Sequence, residues 1–385
     1  MGRQERQALI QQIEQARGGR VLAYVTSDRQ IPGIAGLAQI GDDAMRPIFD
    51  HLREMVAPER VDLIIYSRGG AIDVPWRIAT ALRATAAEWH ILIPFRANSA
   101  ASLIALGADK IFLGRHGELG PIDPILNLPR LVPQPAGQPP LLMPDQVSVE
   151  DLMAYLKFAR DRAGLSDQAS LTHALTLLGN RMDAAALGSA YRTHSHIRDV
   201  ARRMLTSRKN PPPEQTMSTI IETMAERVYA HGHAIGLRTA VEIGLPAESA
   251  NAPLDDMLWR LLKEYEEQMK LLDPLDPMTV LGAADTYSEP AVIAAVESTW
   301  AVHEFTGQLH VRAQRQQPPN LNVALNLNLQ VPAGVNPAAL QQVLQQLQPA
   351  IVQQAQQAVQ DALKQQAPIV GAEIAVRGGR WVRSP

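Results

Sequence analysis

The stretch that decides the fold is 91–124, ILIPFRANSAASLIALGADKIFLGRHGELGPIDP. Its first five residues predict a buried strand, and 110–113 predicts a second one. Between them, the apolar run 100–106 predicts a short helix that ends at Gly107. Ser99 is therefore expected at the first turn of a helix, just beyond the carboxyl end of a strand. Free backbone N–H groups at such a position favour a developing negative charge.

A second stretch has the same organisation. Residues 61–66, VDLIIY, predict another buried strand, which runs into Ser67-Arg68-Gly69-Gly70 before the next helix. Paired glycines let the backbone take positive φ and bring bare N–H groups close to a ligand. A loop with bare amides beside a loop with a hydroxyl provides an oxyanion hole next to a nucleophile. Two simpler alternatives stay open: Ser99 as an ordinary helix cap, and the glycines as an ordinary tight turn.

These motifs resemble a known family. The segments YSRGGAIDVPWRIATALR (66–83), IPFRANSAASLIALGADKIFLG (93–114) and GELGPIDP (117–124) are similar to serine dehydrogenase proteinases. That family belongs to the ClpP/crotonase superfamily, with the Clp proteolytic subunit, signal peptide peptidase A and the NfeD-type serine proteases. The resemblance extends weakly from Arg6 to Leu245, and the last third of the chain matches no family.

The predicted fold class is α/β. Strands and helices alternate over 21–113, which favours a parallel sheet with right-handed crossovers, and the resemblance implies a ClpP/crotonase-like ββα spiral core. We expect that core at 1–146, including a proline-rich arm at 121–146 with polyproline character. A helical C-terminal extension is expected at 147–275, and a small α/β appendage rich in Gln and Asn at 276–385.

Two further segments carry specific expectations. The loop 26–41 is long and contains two glycines, so we expect it near the site or at a subunit contact. Within the appendage, residues 321–331 alternate strictly between apolar and polar and predict a strand. A glutamine-rich helix with a Leu/Val stripe is predicted to follow it.

Composition narrows the function classes. The chain has 385 residues, 46% hydrophobic and 19% charged, with a net charge of −3. This balance gives no reason to expect nucleic acid or a membrane surface as a partner. Cysteine is absent, which excludes disulfides, thiolate zinc sites and a cysteine nucleophile. No apolar run approaches the ~20 residues that span a bilayer, so a cytoplasmic protein is expected. No metal or cofactor is expected either.

The resemblance implies a serine peptidase that hydrolyses peptide bonds. Ser99 would be the nucleophile, and the backbone at Gly69, Gly70 and Ala100 would bind the oxyanion. The substrate would be a peptide or protein, and the superfamily implies a homo-oligomer, whether trimer, hexamer or heptamer. The alternative is a catalytically inactive crotonase-like scaffold or assembly protein. An acyl-CoA enzyme is a further option, but the resemblance is to the proteinase branch and its serine position.

A serine nucleophile needs a general base, because a free hydroxyl is a poor nucleophile. The histidine of the Clp proteolytic subunit would fall near 122–124, and the lysine of NfeD-like enzymes near 146–150. Neither residue stands in its window. The tentative assignments are Lys157 as base and Asp123 as an orienting group, and the base stays open among the remaining candidates His116, His194 and His196. Each of these also fits an ordinary solvated or packing role.

Overall fold

A computed structural model describes residues 2–132, 141–179, 184–227, 234–316 and 337–384. The chain forms two compact units. The first comprises Met1–Asp273, Ala291–Gly307 and Gly378–Pro385, and the second comprises Pro274–Pro290 and Gln308–Arg377.

The described strands alternate with helices along most of the first unit. The strands are β1 (Arg20–Thr26), β2 (Arg60–Tyr66), β3 (Glu88–Ile93), β4 (Arg96–Ala97), β5 (Lys110–Leu113), β6 (Glu118–Leu119), β7 (Ile125–Val132), β8 (Leu141–Ser148), β9 (Ala247–Ser249), β10 (Thr286–Glu297), β11 (Val302–Arg315) and β12 (Ile369–Ser384). The helices are α1 (Arg3–Arg17), α2 (Ile34–Leu37), α3 (Met45–Glu54), α4 (Val74–Thr85), α5 (Ala100–Leu106), α6 (Val149–Asp161), α7 (Gln168–Gly179), α8 (Ala184–Thr206), α9 (Glu214–Glu222), α10 (Leu237–Glu242), α11 (Ala252–Met269), α12 (Pro277–Leu281) and α13 (Pro337–Gln366). The described chain also contains a 3₁₀ turn at Asp42–Ala44 and a π-helical turn at Thr223–Arg227.

The main sheet has eight described strands in the order β12-β11-β10-β1-β2-β3-β5-β9. Strands β1, β2, β3, β5 and β9 pair in parallel, whereas β10 pairs antiparallel with β1. Apart from the first residue of each, β1, β2 and β3 are buried along their whole length. This burial is expected of parallel strands that are covered by helices on both faces.

Apolar side chains form a core on each face of the sheet. One core packs β1–β3 against α3, α4, α5 and α8, and it includes the fully buried Trp89. The other packs the opposite face against α1 and α11. The first unit is therefore a mixed α/β structure around a large central sheet, as the alternation in the sequence predicts.

The proline-rich arm differs from its prediction as a polyproline loop. Its described parts, β7 and β8, pair as antiparallel strands, with Ile125 opposite Ser148 and Val132 opposite Leu141. Pro129 lies opposite Pro144 in this register. The missing N–H groups of the two prolines therefore fall at a single opposed pair, which leaves the rest of the ladder intact.

The division into units also differs from the three predicted segments. Helix α8 contributes Ile197, Val200 and Met204 to the same core as α5, and the helices α6 to α11 are all part of the first unit. Residues 291–307 also belong to that unit, because β10 pairs with β1. The strand predicted at 321–331 lies outside the described residues. In the described ranges no helix combines the length and apolarity needed to cross a membrane.

Candidate active site

Ser99 occupies the N-cap position of α5 in an unusual conformation. Its φ is 51° and its ψ is −113°, and its side chain makes no capping hydrogen bond. A non-glycine residue held at positive φ costs about 1–3 kcal/mol, and such strain clusters at functional sites. Among the residues described, Ala57 and Lys270 are the other non-glycine residues with positive φ. The simple capping alternative is contradicted, because Ser99 Oγ makes no hydrogen bond within the described chain.

The Gly69-Gly70 loop lies directly against Ser99. Gly69 has a φ of 114°, and a Cβ added there would lie 2.7 Å from Ser99 Cβ and 3.1 Å from the backbone nitrogen of Ala100. The φ of Gly69 and its contact with Ser99 both require glycine at this position. The two loops that the sequence predicted to adjoin are therefore in contact.

Gly70 is held in place by the backbone of Ile40. The Ile40 N–H donates to Gly69 O at 2.8 Å, and the Ala71 N–H donates to Ile40 O at 2.9 Å. These two bonds form an isolated parallel bridge between Ile40 and Gly70. In such a bridge the N–H of the bridged residue itself points away from its partner. The N–H of Gly70 is thus turned away from Ile40.

Two backbone donors remain unused beside Ser99. Neither the Gly70 N–H nor the Ala100 N–H donates a hydrogen bond to any residue that the structure describes. Ala100 begins α5, where the first N–H groups have no partner within the helix. Two N–H groups without an acceptor among the described residues therefore lie on the two loops that meet at Ser99.

A cavity of about 460 Å³ opens beside these groups. It is lined by Ser27, Asp28, Gln30, Ala35, Ala38, Gln39, Arg68, Gly69, Gly70, Ile72, Asn98, Ser99, Pro121, Asp123, Pro124 and Ile125. Six of these residues come from the loop after β1, so the segment 26–41 borders the candidate site. The cavity also brings together four of the predicted site residues: Ser99, Gly69, Gly70 and Asp123.

The turn that leads to Asp123 is held from both sides. Ser102 is fully buried and its Oγ lies 2.6 Å from Ala97 O and 2.8 Å from Gly120 O. On the other side, Leu119 exchanges two backbone hydrogen bonds with Ile235, at 3.0 and 2.7 Å. The segment between α5 and the arm is therefore fixed by the Ser102 hydroxyl on one side and by backbone hydrogen bonds on the other.

The Asp123 carboxylate is bound to the start of α6. It accepts from Ser148 Oγ at 2.8 Å and from the Glu150 N–H at 3.4 Å. Ser148 in turn caps α6, and the Glu150 carboxylate binds Arg198 through two nitrogens at 2.9 and 3.1 Å. These contacts link the cavity wall to α6 and α8.

Lys157 lies on α6 away from this anchor. It is exposed and is absent from the cavity lining. It stands seven residues beyond Glu150, which is about 10 Å along a helix axis. The structure therefore does not bring the tentative base to Ser99.

The histidine candidates have other partners. His116 is exposed, and its ring centroid lies 6.1 Å from that of Trp259. His194 Nε2 lies 3.9 Å from Glu150 Oε2, and His196 Nε2 lies 3.2 Å from Asp73 Oδ1. Among the described cavity-lining residues there is no histidine or lysine.

A charged cluster that the sequence did not single out borders the cavity. Asp28 Oδ2 accepts from Arg68 at 3.2 Å and from Arg96 at 3.1 Å. Arg96 also donates to Glu118 at 3.2 Å. Burial raises the pKa of the nearby Tyr66, and the charge of Asp28 raises it further, so Tyr66 stays protonated. The sequence offered one indication of this cluster: Asp28 lies in the long loop 26–41, which was predicted near the site.

Comparison with known proteins agrees with this geometry. Residues 2–134 match the ClpP-like SDH-type serine proteinase family. This match confirms the resemblance for that part of the chain, which includes Ser99 and the Gly69-Gly70 loop.

The described residues hold no group of three or more His, Cys, Asp or Glu side chains arranged for a metal ion.

Two curated relatives are uncharacterised proteins of Methanocaldococcus jannaschii. One is 32% identical over 121 residues, which are 31% of this chain and 42% of the relative. The other is 34% identical over 117 residues, which are 30% of this chain and 40% of the relative. The matched residues thus cover about two fifths of each relative's length.

Proposed function

We propose that this chain is a serine peptidase with Ser99 as its nucleophile. The observation that supports the proposal most directly is the strained, uncapped Ser99 beside two unused N–H groups on the wall of a cavity. The family matched by residues 2–134 consists of serine proteinases and agrees with it.

In the proposed reaction Ser99 Oγ forms a bond to a peptide carbonyl carbon while its proton passes to a base. The carbonyl oxygen takes the negative charge and is held by the N–H groups of Gly70 and Ala100. Collapse of this intermediate breaks the C–N bond, and the amine leaves with a proton. Water then attacks the acyl-enzyme in the same way and releases the acid and the serine.

The base of this reaction stays unassigned. Asp123 lines the cavity, but Ser148 and Glu150 hold its carboxylate, so we propose an orienting role for it. Lys157 would require a rearrangement of α6 to reach Ser99. Single replacement of each of the ten histidines and of each lysine, with a pH–rate profile for every variant, would identify the base.

A fluorophosphonate probe is expected to label the wild-type protein at Ser99, because only an activated serine reacts with it. Ser99→Ala should remove the labelling. Ser195→Ala is the matched control: Ser195 is exposed on α8 and bonds to Tyr191 O, so labelling should persist. Mass spectrometry of the labelled peptide checks the position. An unlabelled wild type, or equal labelling of Ser99→Ala, would contradict the proposal.

A scaffold without proteolysis is the second candidate function. The absence of histidine and lysine from the described cavity lining favours it. Under this alternative the wild type resists the probe while its assembly remains intact, which separates the two functions in one experiment.

We also propose that the core is a ClpP-like ββα spiral. Short strands β4 and β6 pair in parallel outside the main sheet, and Ser67 bridges Ala97 in the same direction. Ser67, β4 and β6, which come from successive repeats of the chain, thus form a second small parallel sheet beside the site. This arrangement supports the spiral that the resemblance implies.

We propose, from the resemblance, that the protein is a homo-oligomer that buries the arm and α6. Ile125 on β7 and Phe158 on α6 are large apolar residues left exposed. Light scattering is expected to give a multiple of the 42.1 kDa chain mass. Phe158→Asp should lower that mass, whereas Val56→Asp, an equally drastic change at another exposed residue, should not. A monomeric wild type at micromolar concentration would contradict the proposal.

A further inference from the structure

Ser67 is hydrogen bonded to both loops of the candidate site. Its backbone N–H donates to Arg96 O at 3.1 Å, and its carbonyl accepts from the Asn98 N–H at 3.0 Å. These two bonds hold the segment that ends at Ser99. Its side chain makes a different pair of contacts: Ser67 Oγ accepts from the Gly69 N–H at 3.0 Å and from Thr26 Oγ1 at 2.8 Å.

The two hydroxyls lie in a dry environment. Ser67 is 1% exposed and Thr26 is fully buried. A buried polar group that loses its partner retains its full desolvation cost, so these hydroxyls and the Gly69 N–H fix one another's orientation. Gly69 has a φ of 114°, one of several conformations open to glycine, so its neighbours must select this conformation. Two hydrogen bonds hold it there: the Gly69 N–H donates to Ser67 Oγ at 3.0 Å, and the Gly69 carbonyl accepts from the Ile40 N–H at 2.8 Å.

We infer that Ser67, held by Thr26, is a positioning residue that aims the Gly70 N–H at the oxyanion formed on Ser99. This inference rests on the proposed peptidase function and adds residues that the sequence motif did not assign a role. Ser67 is buried and is absent from the described lining of the cavity. It acts through the next two residues of its own loop.

The pairing of the strands does not need this hydroxyl pair. Strands β1 and β2 pair from Arg20 opposite Val61 to Val25 opposite Tyr66. Thr26 and Ser67 follow directly after the last of these pairs. Loss of their side-chain bond therefore leaves the ladder intact and acts on the loop beyond it. The expected effect is on the transition state and not on substrate binding.

The test uses the full chain and one peptide substrate that the wild type cleaves. Ser67→Ala is expected to lower kcat by about 10- to 100-fold, less than the ~10²–10³ for removal of an oxyanion donor. KM should stay within about threefold, because ground-state binding is unchanged. Thr26→Val, which keeps the volume but removes the hydroxyl, should lower kcat in the same direction. Ser67→Thr and Thr26→Ser keep the hydroxyls and should recover most of kcat.

A tetrahedral analogue separates positioning from a structural role. A peptide boronic acid bound to Ser99 should lose affinity in Ser67→Ala by about the factor lost in kcat. The affinity of the substrate peptide, measured in a Ser99→Ala background, should not change with Ser67→Ala. If kcat and boronate affinity are unaltered in both Ser67→Ala and Thr26→Val, the inference is overturned while the peptidase stands. A wild type that neither cleaves the peptide nor binds the boronate overturns both.

Discussion

Ser99→Ala is expected to lower peptide turnover by at least about a thousandfold, because the nucleophile of the proposed reaction is lost. The fold should persist. Even a fully formed serine cap is worth only about 0.5–2 kcal/mol, and Ser99 makes no capping hydrogen bond. Ser99 is half-buried on the cavity wall, and its replacement by alanine leaves no described partner of the hydroxyl unpaired.

Turnover of a casein-like or peptide substrate measures this prediction, with thermal unfolding and light scattering on the same samples. Ser195→Ala controls for the loss of an arbitrary hydroxyl and should retain wild-type turnover. A Ser99→Ala protein that cleaves at the wild-type rate would assign any peptidase activity to another residue. An active wild type and an inactive, unfolded variant would instead show that Ser99 has a larger structural role than its contacts indicate.

The elements around Ser99 could be predicted because their signals are local. The apolar run before Gly107 predicted the helix 100–106, and α5 has these bounds. The strand predicted at 110–113 is β5. Each signal consists of a short hydrophobic pattern and a residue that ends it, so no distant contact is needed to define the element.

The contacts that orient the site could not be predicted, because they join residues far apart in sequence. Ile40 holds Gly70 from thirty residues earlier through backbone atoms, and backbone contacts leave no sequence pattern. The pairing of Asp28 with Arg96 spans a still longer separation. Asp28 and Ile40 lie in or beside the loop after β1, whose length predicted proximity to the site but no specific partner.

The division of the chain into two compact units also depends on residues far apart in sequence. The apolar run of β10, 291–296, is a signal for a buried strand, but only its pairing with β1 places it in the first unit. In the arm, prolines favoured a polyproline loop over strands. Their placement opposite each other, which makes the strands possible, depends on a register that the sequence does not display.

Gly70→Ala is expected to lower kcat/KM by at least about a hundredfold, comparable with loss of one oxyanion donor. A Cβ at this position would lie 2.9 Å from the carbonyl carbon of Ile40 and closer still to its nitrogen and oxygen. All three atoms are backbone, so no side-chain rotation relieves the contact. The loop must move away from Ile40, and the Gly70 N–H moves with it.

The matched control for this change is Gly36→Ala. Gly36 is exposed on α2 in the loop after β1, and a Cβ there would meet nothing within 4 Å. It should therefore retain wild-type activity and stability. Steady-state kinetics and thermal unfolding of both variants test the argument, because a displaced oxyanion donor lowers kcat/KM even when the variant remains folded. If Gly70→Ala is folded and as active as Gly36→Ala, the Gly70 N–H does not bind the oxyanion. The second donor that acts together with the Ala100 N–H must then be another group.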